Sequence, residues 1–78
     1  LASLVQLKEL DLSQNAIVDI TPLSSLLQLR VLHLESNRIV SIASLSKLSK
    51  LTHLYLNANE IVNASPIGTL LALQLLSL

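Results

Sequence analysis

The chain repeats itself every 22 residues without a gap, and that recurrence limits its fold more than any other property. Leu51-Thr52-His53-Leu54-Tyr55-Leu56-Asn57-Ala58-Asn59 reads 22 positions earlier as Leu29-Arg30-Val31-Leu32-His33-Leu34-Glu35-Ser36-Asn37. A further 22 positions back it reads Leu7-Lys8-Glu9-Leu10-Asp11-Leu12-Ser13-Gln14-Asn15, and Leu73-Gln74-Leu75-Leu76-Ser77-Leu78 opens a fourth copy. Other columns keep the same step: Leu1, Leu23, Leu45 and Ile67; Leu4, Leu26, Leu48 and Leu70; Ile17, Ile39 and Ile61; Ile20 and Ile42, with Ala64 in the third place. Units this alike must share one conformation and bury their apolar positions against their neighbours, so a stack of equivalent coils is predicted. The chain is 51% hydrophobic, yet it lacks Trp, Phe and Met and has one aromatic residue, Tyr55. Such a core must be layered Leu and Ile.

Inside each unit the period changes. Leu10-Asp11-Leu12 alternates at period two, which describes a short strand with leucines on one face and Asp11 on the other. Copies run in the same direction, so strands near Glu9–Ser13, Val31–Glu35, His53–Asn57 and Leu75–Ser77 should form a parallel sheet. Parallel strands need crossovers, expected around Pro22–Leu27, Ser44–Leu48 and Pro66–Leu71. A unit of 22 residues leaves room for one or two turns, hence 3₁₀ or irregular helix and an α/β solenoid. Thr21-Pro22 and Ser65-Pro66 read as a cap followed by proline at the first helical position, whereas Ala43-Ser44 predicts a less sharply started helix. Asn15, Asn37 and Asn59 fall where each strand must leave the sheet. Their amides, with two donors and an acceptor, suit a ladder that satisfies backbone groups of their own and the adjacent coil.

The L-x-x-L-x-L-x-x-N spacing, followed by N-x-I-x-x-I as in Asn15-Ala16-Ile17-Val18-Asp19-Ile20, resembles the leucine-rich repeats. It is similar to the 22-residue subclass found in regulatory subunits of protein phosphatase-1 and in bacterial internalins. The resemblance covers the whole chain. It implies a horseshoe whose concave sheet face binds another protein, in a scaffold or regulatory role, with no enzymatic activity and no cofactor.

With inward leucines holding the stack, function must come from outward strand positions. Neighbouring strands, about 4.8 Å apart, arrange these in rows: Glu9, Val31, His53, Leu75; then Asp11, His33, Tyr55, Ser77; then Ser13, Glu35, Asn57; then Gln14, Ser36, Ala58. Lys8 and Arg30 stand at the entrance edge. A face of mixed charge with a central aromatic suits a protein partner. The expected contact residues are Glu9, Asp11, Arg30, His33, Glu35, His53, Tyr55 and Asn57, with Tyr55, His53 and Arg30 the first anchors by residue type. Asp11 beside His33 also admits a catalytic or metal reading, since a carboxylate can orient a histidine as a base. A flat sheet face opposes it, offering no oxyanion donors, and His33 and His53 sit on diagonal rows about 8 Å apart. No metal is expected.

Five basic and five acidic residues give a formal charge of +0, which argues against nucleic acid as partner. No run of 18 apolar residues spans a bilayer, so membrane insertion is not expected. With no cysteine there is neither a disulfide framework nor a thiolate metal site, which leans towards a cytoplasmic or otherwise intracellular setting; a bacterial surface or secreted one stays open. Val18, Val40 and Val62 form a stripe read as packing between coils, or alternatively as a lateral docking surface of a structural subunit; Leu27, Leu71 and Val5 raise the same question on the convex side. Asn63-Ala64-Ser65 matches a glycosylation acceptor but reads better as a turn and helix cap. Residues 1–78 amount to about three full repeats and the start of a fourth. Neither end shows a polar cap, so an excerpt of a longer solenoid with flanking repeats or caps is expected.

Overall fold

The computed structural model describes residues 6–78, with the Leu75 side chain excepted. Four strands, β1 (Glu9–Asp11), β2 (Val31–His33), β3 (His53–Tyr55) and β4 (Leu75–Ser77), form one parallel sheet in sequence order. The register is the 22-residue step itself: Glu9, Val31, His53 and Leu75 align, as do Asp11, His33, Tyr55 and Ser77. The strands are shorter than the alternation suggested, but the ladder runs on. Leu12 N–H donates to the His33 carbonyl at 2.8 Å, and Gln14 N–H to that of Glu35 at 3.0 Å. One coil later, Leu34 and Ser36 do the same to Tyr55 and Asn57.

Three 3₁₀ helices, Thr21–Ser25, Ala43–Lys47 and Ser65–Thr69, supply the crossovers. Their starts correct the sequence reading. Thr21 and Ser65 do not cap; they are the first helical residues, and the groups that hold them stand two positions earlier. Asp19 Oδ1 accepts from the Thr21 N–H at 2.9 Å and from its hydroxyl at 2.5 Å, and Asn63 Oδ1 accepts from the Ser65 N–H at 3.0 Å. In the middle unit Ser41 Oγ meets the Ala43 N–H at only 3.5 Å, yet that helix is five residues long like the others. Neighbouring coils, more than the cap, hold it in shape.

Leu29, Leu32, Leu34, Ile39, Ile42, Leu45, Leu48, Leu51, Leu54 and Leu56 are sealed from water, and all belong to the two middle coils. Their counterparts Leu7, Leu10, Leu12 and Leu23 on one side, and Ile61, Ile67 and Leu73 on the other, are half-buried. The valine stripe overturns the packing expectation. Val18, Val40 and Val62 are 58%, 43% and 82% exposed, because each lies beside isoleucines whose side chains take the inward positions. Leu27 and Leu71 are exposed as well, Ala64 leaves the last unit without its second isoleucine, and Val5 falls outside the described residues.

Candidate functional site

Each strand turns away from the sheet through a residue in the left-handed region: Gln14 (φ 57°), Ser36 (φ 60°) and Ala58 (φ 60°). None is glycine, the residue that adopts this backbone without steric cost, so no residue type in the sequence signals the conformation. The asparagine that follows then secures the turn. Asn37 Oδ1 accepts from the Ile17 N–H at 3.1 Å, while its Nδ2 donates to the carbonyls of Leu12 and Leu34, both at 3.0 Å. Asn59 repeats the pattern one coil on, with Ile39, Leu34 and Leu56. The two bonds of Asn15 stay within its own coil, to the carbonyls of Leu12 and Ser13. Asn37 and Asn59 thus bond two coils, as the sequence leads one to expect of all three, whereas Asn15 bonds one among the described residues.

On the sheet face the contact candidates stand as the register dictates. His33 and Tyr55 stack with ring centroids 4.3 Å apart and planes 3° from parallel. That spacing is close to the strand separation, so the stacking axis runs across the strands. Each of the two residues is half-buried. The carboxylate nearest His33 is not Asp11 but Glu35, whose Oε2 lies 3.7 Å from His33 Nδ1. Glu35 Oε1 is buried and lacks a hydrogen-bond partner among the described residues. Asp11 turns along its own strand instead. Its Oδ1 accepts from the Ser13 hydroxyl at 2.6 Å and the Ser13 N–H at 3.0 Å, which together hold the carboxyl below its usual range, His33 contributing least. The pairing of Asp11 with His33 that a catalytic reading needs is therefore absent.

His53 belongs to the next row and bonds Thr52 Oγ1 through Nδ1 at 2.9 Å; the same hydroxyl lies 3.1 Å from the Arg30 carbonyl. Asn57 Oδ1 accepts from the Ser77 hydroxyl at 3.2 Å. Glu9 and Arg30 are exposed. Among the described residues no three His, Cys, Asp or Glu side chains gather closely enough to hold a metal ion. Two hollows of about 340 Å³ lie at the ends of the stack, away from the sheet-face residues. One is lined by Leu7, Leu10, Leu12, Leu23 and Leu26, the other by Leu56, Ile61, Val62, Ala64 and Leu78. No described helix is long and apolar enough to cross a membrane.

A family model described as leucine-rich repeats in two copies matches residues 5–47 and again residues 27–72. Among solved structures, an internalin of Listeria monocytogenes superimposes with a TM-score of 0.93 at 39% identity, over 95% of this chain and 22% of its own. An internalin C2 of the same bacterium gives 0.93 at 33% identity, over 97% of this chain and 34% of its own. A leucine-rich repeat protein of Leptospira interrogans gives 0.79 at 32% identity, over 88% of this chain and 18% of its own. The chain thus spans about a third or less of the proteins it resembles. No curated protein matches it.

Proposed function

Because the chain belongs to the leucine-rich repeat family, we propose that it is a non-enzymatic interaction module whose concave sheet face receives another protein. The observation that carries this reading is the His33–Tyr55 stack at the centre of a rigid face. Fixed aromatic rings contribute contact area at low entropic cost, and polar neighbours such as Glu9, Asp11, Arg30, His53 and Asn57 make a suitable rim. An enzyme is disfavoured because Asp11 is committed to Ser13, while Glu35, the carboxylate that does approach His33, stands 3.7 Å from Nδ1, too far for the hydrogen bond that aligns a base. The similarity to two Listeria internalins favours an internalin-type bacterial setting, at the surface or secreted, over a phosphatase regulatory subunit. The half-buried leucines at both ends support flanking repeats or caps that continue the stack.

The test is capture of partner proteins by the chain and by two variants. His33→Ala combined with Tyr55→Ala should abolish capture while the circular dichroism spectrum stays unchanged; Val40→Asp should capture normally. A second reading, lateral docking of a structural subunit, is favoured by the exposure of Val18, Val40 and Val62. The opposite pattern of losses would establish it and remove the sheet-face reading.

A further inference from the structure

The chain is neutral overall, but the outward rows of the sheet carry acidic residues, with Lys8 and Arg30 at their entrance edge. Among the described residues, Glu9, Asp11 and Glu35 lie in the outward rows of the sheet, and no lysine or arginine does. Lys8 and Arg30 precede the strands, Arg38 follows the turn and faces Glu60 at 3.9 Å, and Lys47 and Lys50 belong to the crossover side. All three sheet-face carboxylates fall on the β1–β2 half, around the one face of the ring stack that Tyr55 does not cover. Since the stacking axis runs across the strands, the second face of His33 looks towards β1 and the space above Asp11. Asp11 is short, exposed and bonded to Ser13, so no ring or long side chain of its row stands on the β1 side of His33.

We propose that the sheet face binds a cationic segment of another protein, and that an arginine of that segment lies flat against the free face of His33 above Asp11. This rests on the sheet-face reading and adds the chemistry of the partner. Guanidinium is planar, stacks on aromatic rings and pairs with carboxylates in a fork, which a lysine ammonium does not. In the slot its N–H groups reach Asp11, whose internal bonds occupy only Oδ1 among the described residues, and Glu9 two residues earlier on the same strand. Glu35 supplies a third carboxylate beside His33, adding negative charge next to the slot. An acidic or apolar segment would meet these carboxylates without neutralising them.

Two experiments test this on the full chain. In the first, random peptides displayed on phage are selected against the chain at physiological salt. Arginine-rich binders that are lost with His33→Ala/Tyr55→Ala are expected. A selection that yields none overturns the proposal. Acidic or apolar binders that are nonetheless lost with that variant overturn the cationic chemistry and leave the sheet-face reading standing. Binders indifferent to the sheet variant and lost with Val40→Asp remove both. In the second, the pentapeptide Gly-Arg-Gly-Arg-Gly, capped at both ends, is titrated while backbone amide shifts are followed by NMR. Saturable shifts at Asp11, His33 and Tyr55 are expected, with Gly-Glu-Gly-Glu-Gly producing none there. Glu9→Gln/Asp11→Asn should weaken the arginine peptide roughly fivefold or more, the size expected of two exposed charge pairs. Both positions are exposed, and Asp11→Asn keeps a side-chain oxygen to accept the bonds from Ser13, so the fold should persist. Unchanged affinity in that variant would overturn the proposal.

Discussion

Replacing Asn37 by alanine should be among the most damaging polar substitutions in this chain, and its cost follows from the hydrogen bonds. Three bonds of 3.0–3.1 Å are lost: the Ile17 N–H is left without its partner, while the Leu12 and Leu34 carbonyls keep the amides of Asn15 and Asn59; a fourth contact, to the Glu35 carbonyl, is long at 3.4 Å. The Leu34 bond is buried and the other two half-buried, and Asn37 itself is 7% exposed, so water cannot fully replace the amide. The unpaired N–H costs about 1–3 kcal/mol and each of the other two lost bonds about 0.5–1.5 kcal/mol, giving about 2–4 kcal/mol in all. A domain of this length holds roughly 4–12 kcal/mol, so the loss is a large share or all of it. Asn59→Ala removes the equivalent bonds, all half-buried, and should cost about 2–4 kcal/mol. Asn15→Ala breaks two exposed bonds within one coil and should cost about 0.5–1 kcal/mol. Chemical denaturation followed by far-ultraviolet circular dichroism measures the series; an Asn37 variant already unfolded without denaturant fits it. Equal losses at the three positions, or less than about 1 kcal/mol at Asn37, would refute the bond count.

Leu54→Ala, at a fully buried site, should cost about 2–5 kcal/mol in the same assay through lost burial and a cavity, whereas Leu76→Ala, in the same column but 37% exposed, should cost distinctly less. Ala58→Gly should raise stability by about 0.5–1 kcal/mol, because glycine relieves the left-handed backbone at φ 60°; a loss would show that the turn is not strained. The carboxyl of Asp19 is held below its ordinary value by the Thr21 hydroxyl and then by the Thr21 N–H. Its contribution is therefore complete above the unfolded-state value and fades as pH falls through the lower folded one, below about pH 4. Asp19→Asn, which keeps an acceptor but not the charge, should flatten the acid limb of the stability profile there; an unchanged limb would show that the charge does not matter.

The repeat unit, the direction and register of the strands, the inward leucine columns, the 3₁₀ crossovers and the asparagine ladder were all legible in the sequence. They follow from a gapless period, which makes every unit answer to the same local rules. The left-handed residues before each asparagine were not legible, because Gln14, Ser36 and Ala58 share no side-chain signature. Nor were the turn acceptors Asp19 and Ser41, although they share a column with Asn63, whose reading as a turn and cap holds in its bond from the Ser65 N–H. Tertiary packing alone separates positions that the repeat makes equal. Leu32 and Leu54 are sealed while Leu76 in the same column is open, and Asn37 ties two coils while Asn15 holds one. The same holds for the face of the sheet. Row order put Asp11, His33 and Tyr55 side by side, but rotamers chose the partners: His33 stacks on Tyr55, and Asp11 turns to Ser13. Burial and side-chain pairing depend on what lies across the gap between coils, and a residue's own repeat does not contain that information.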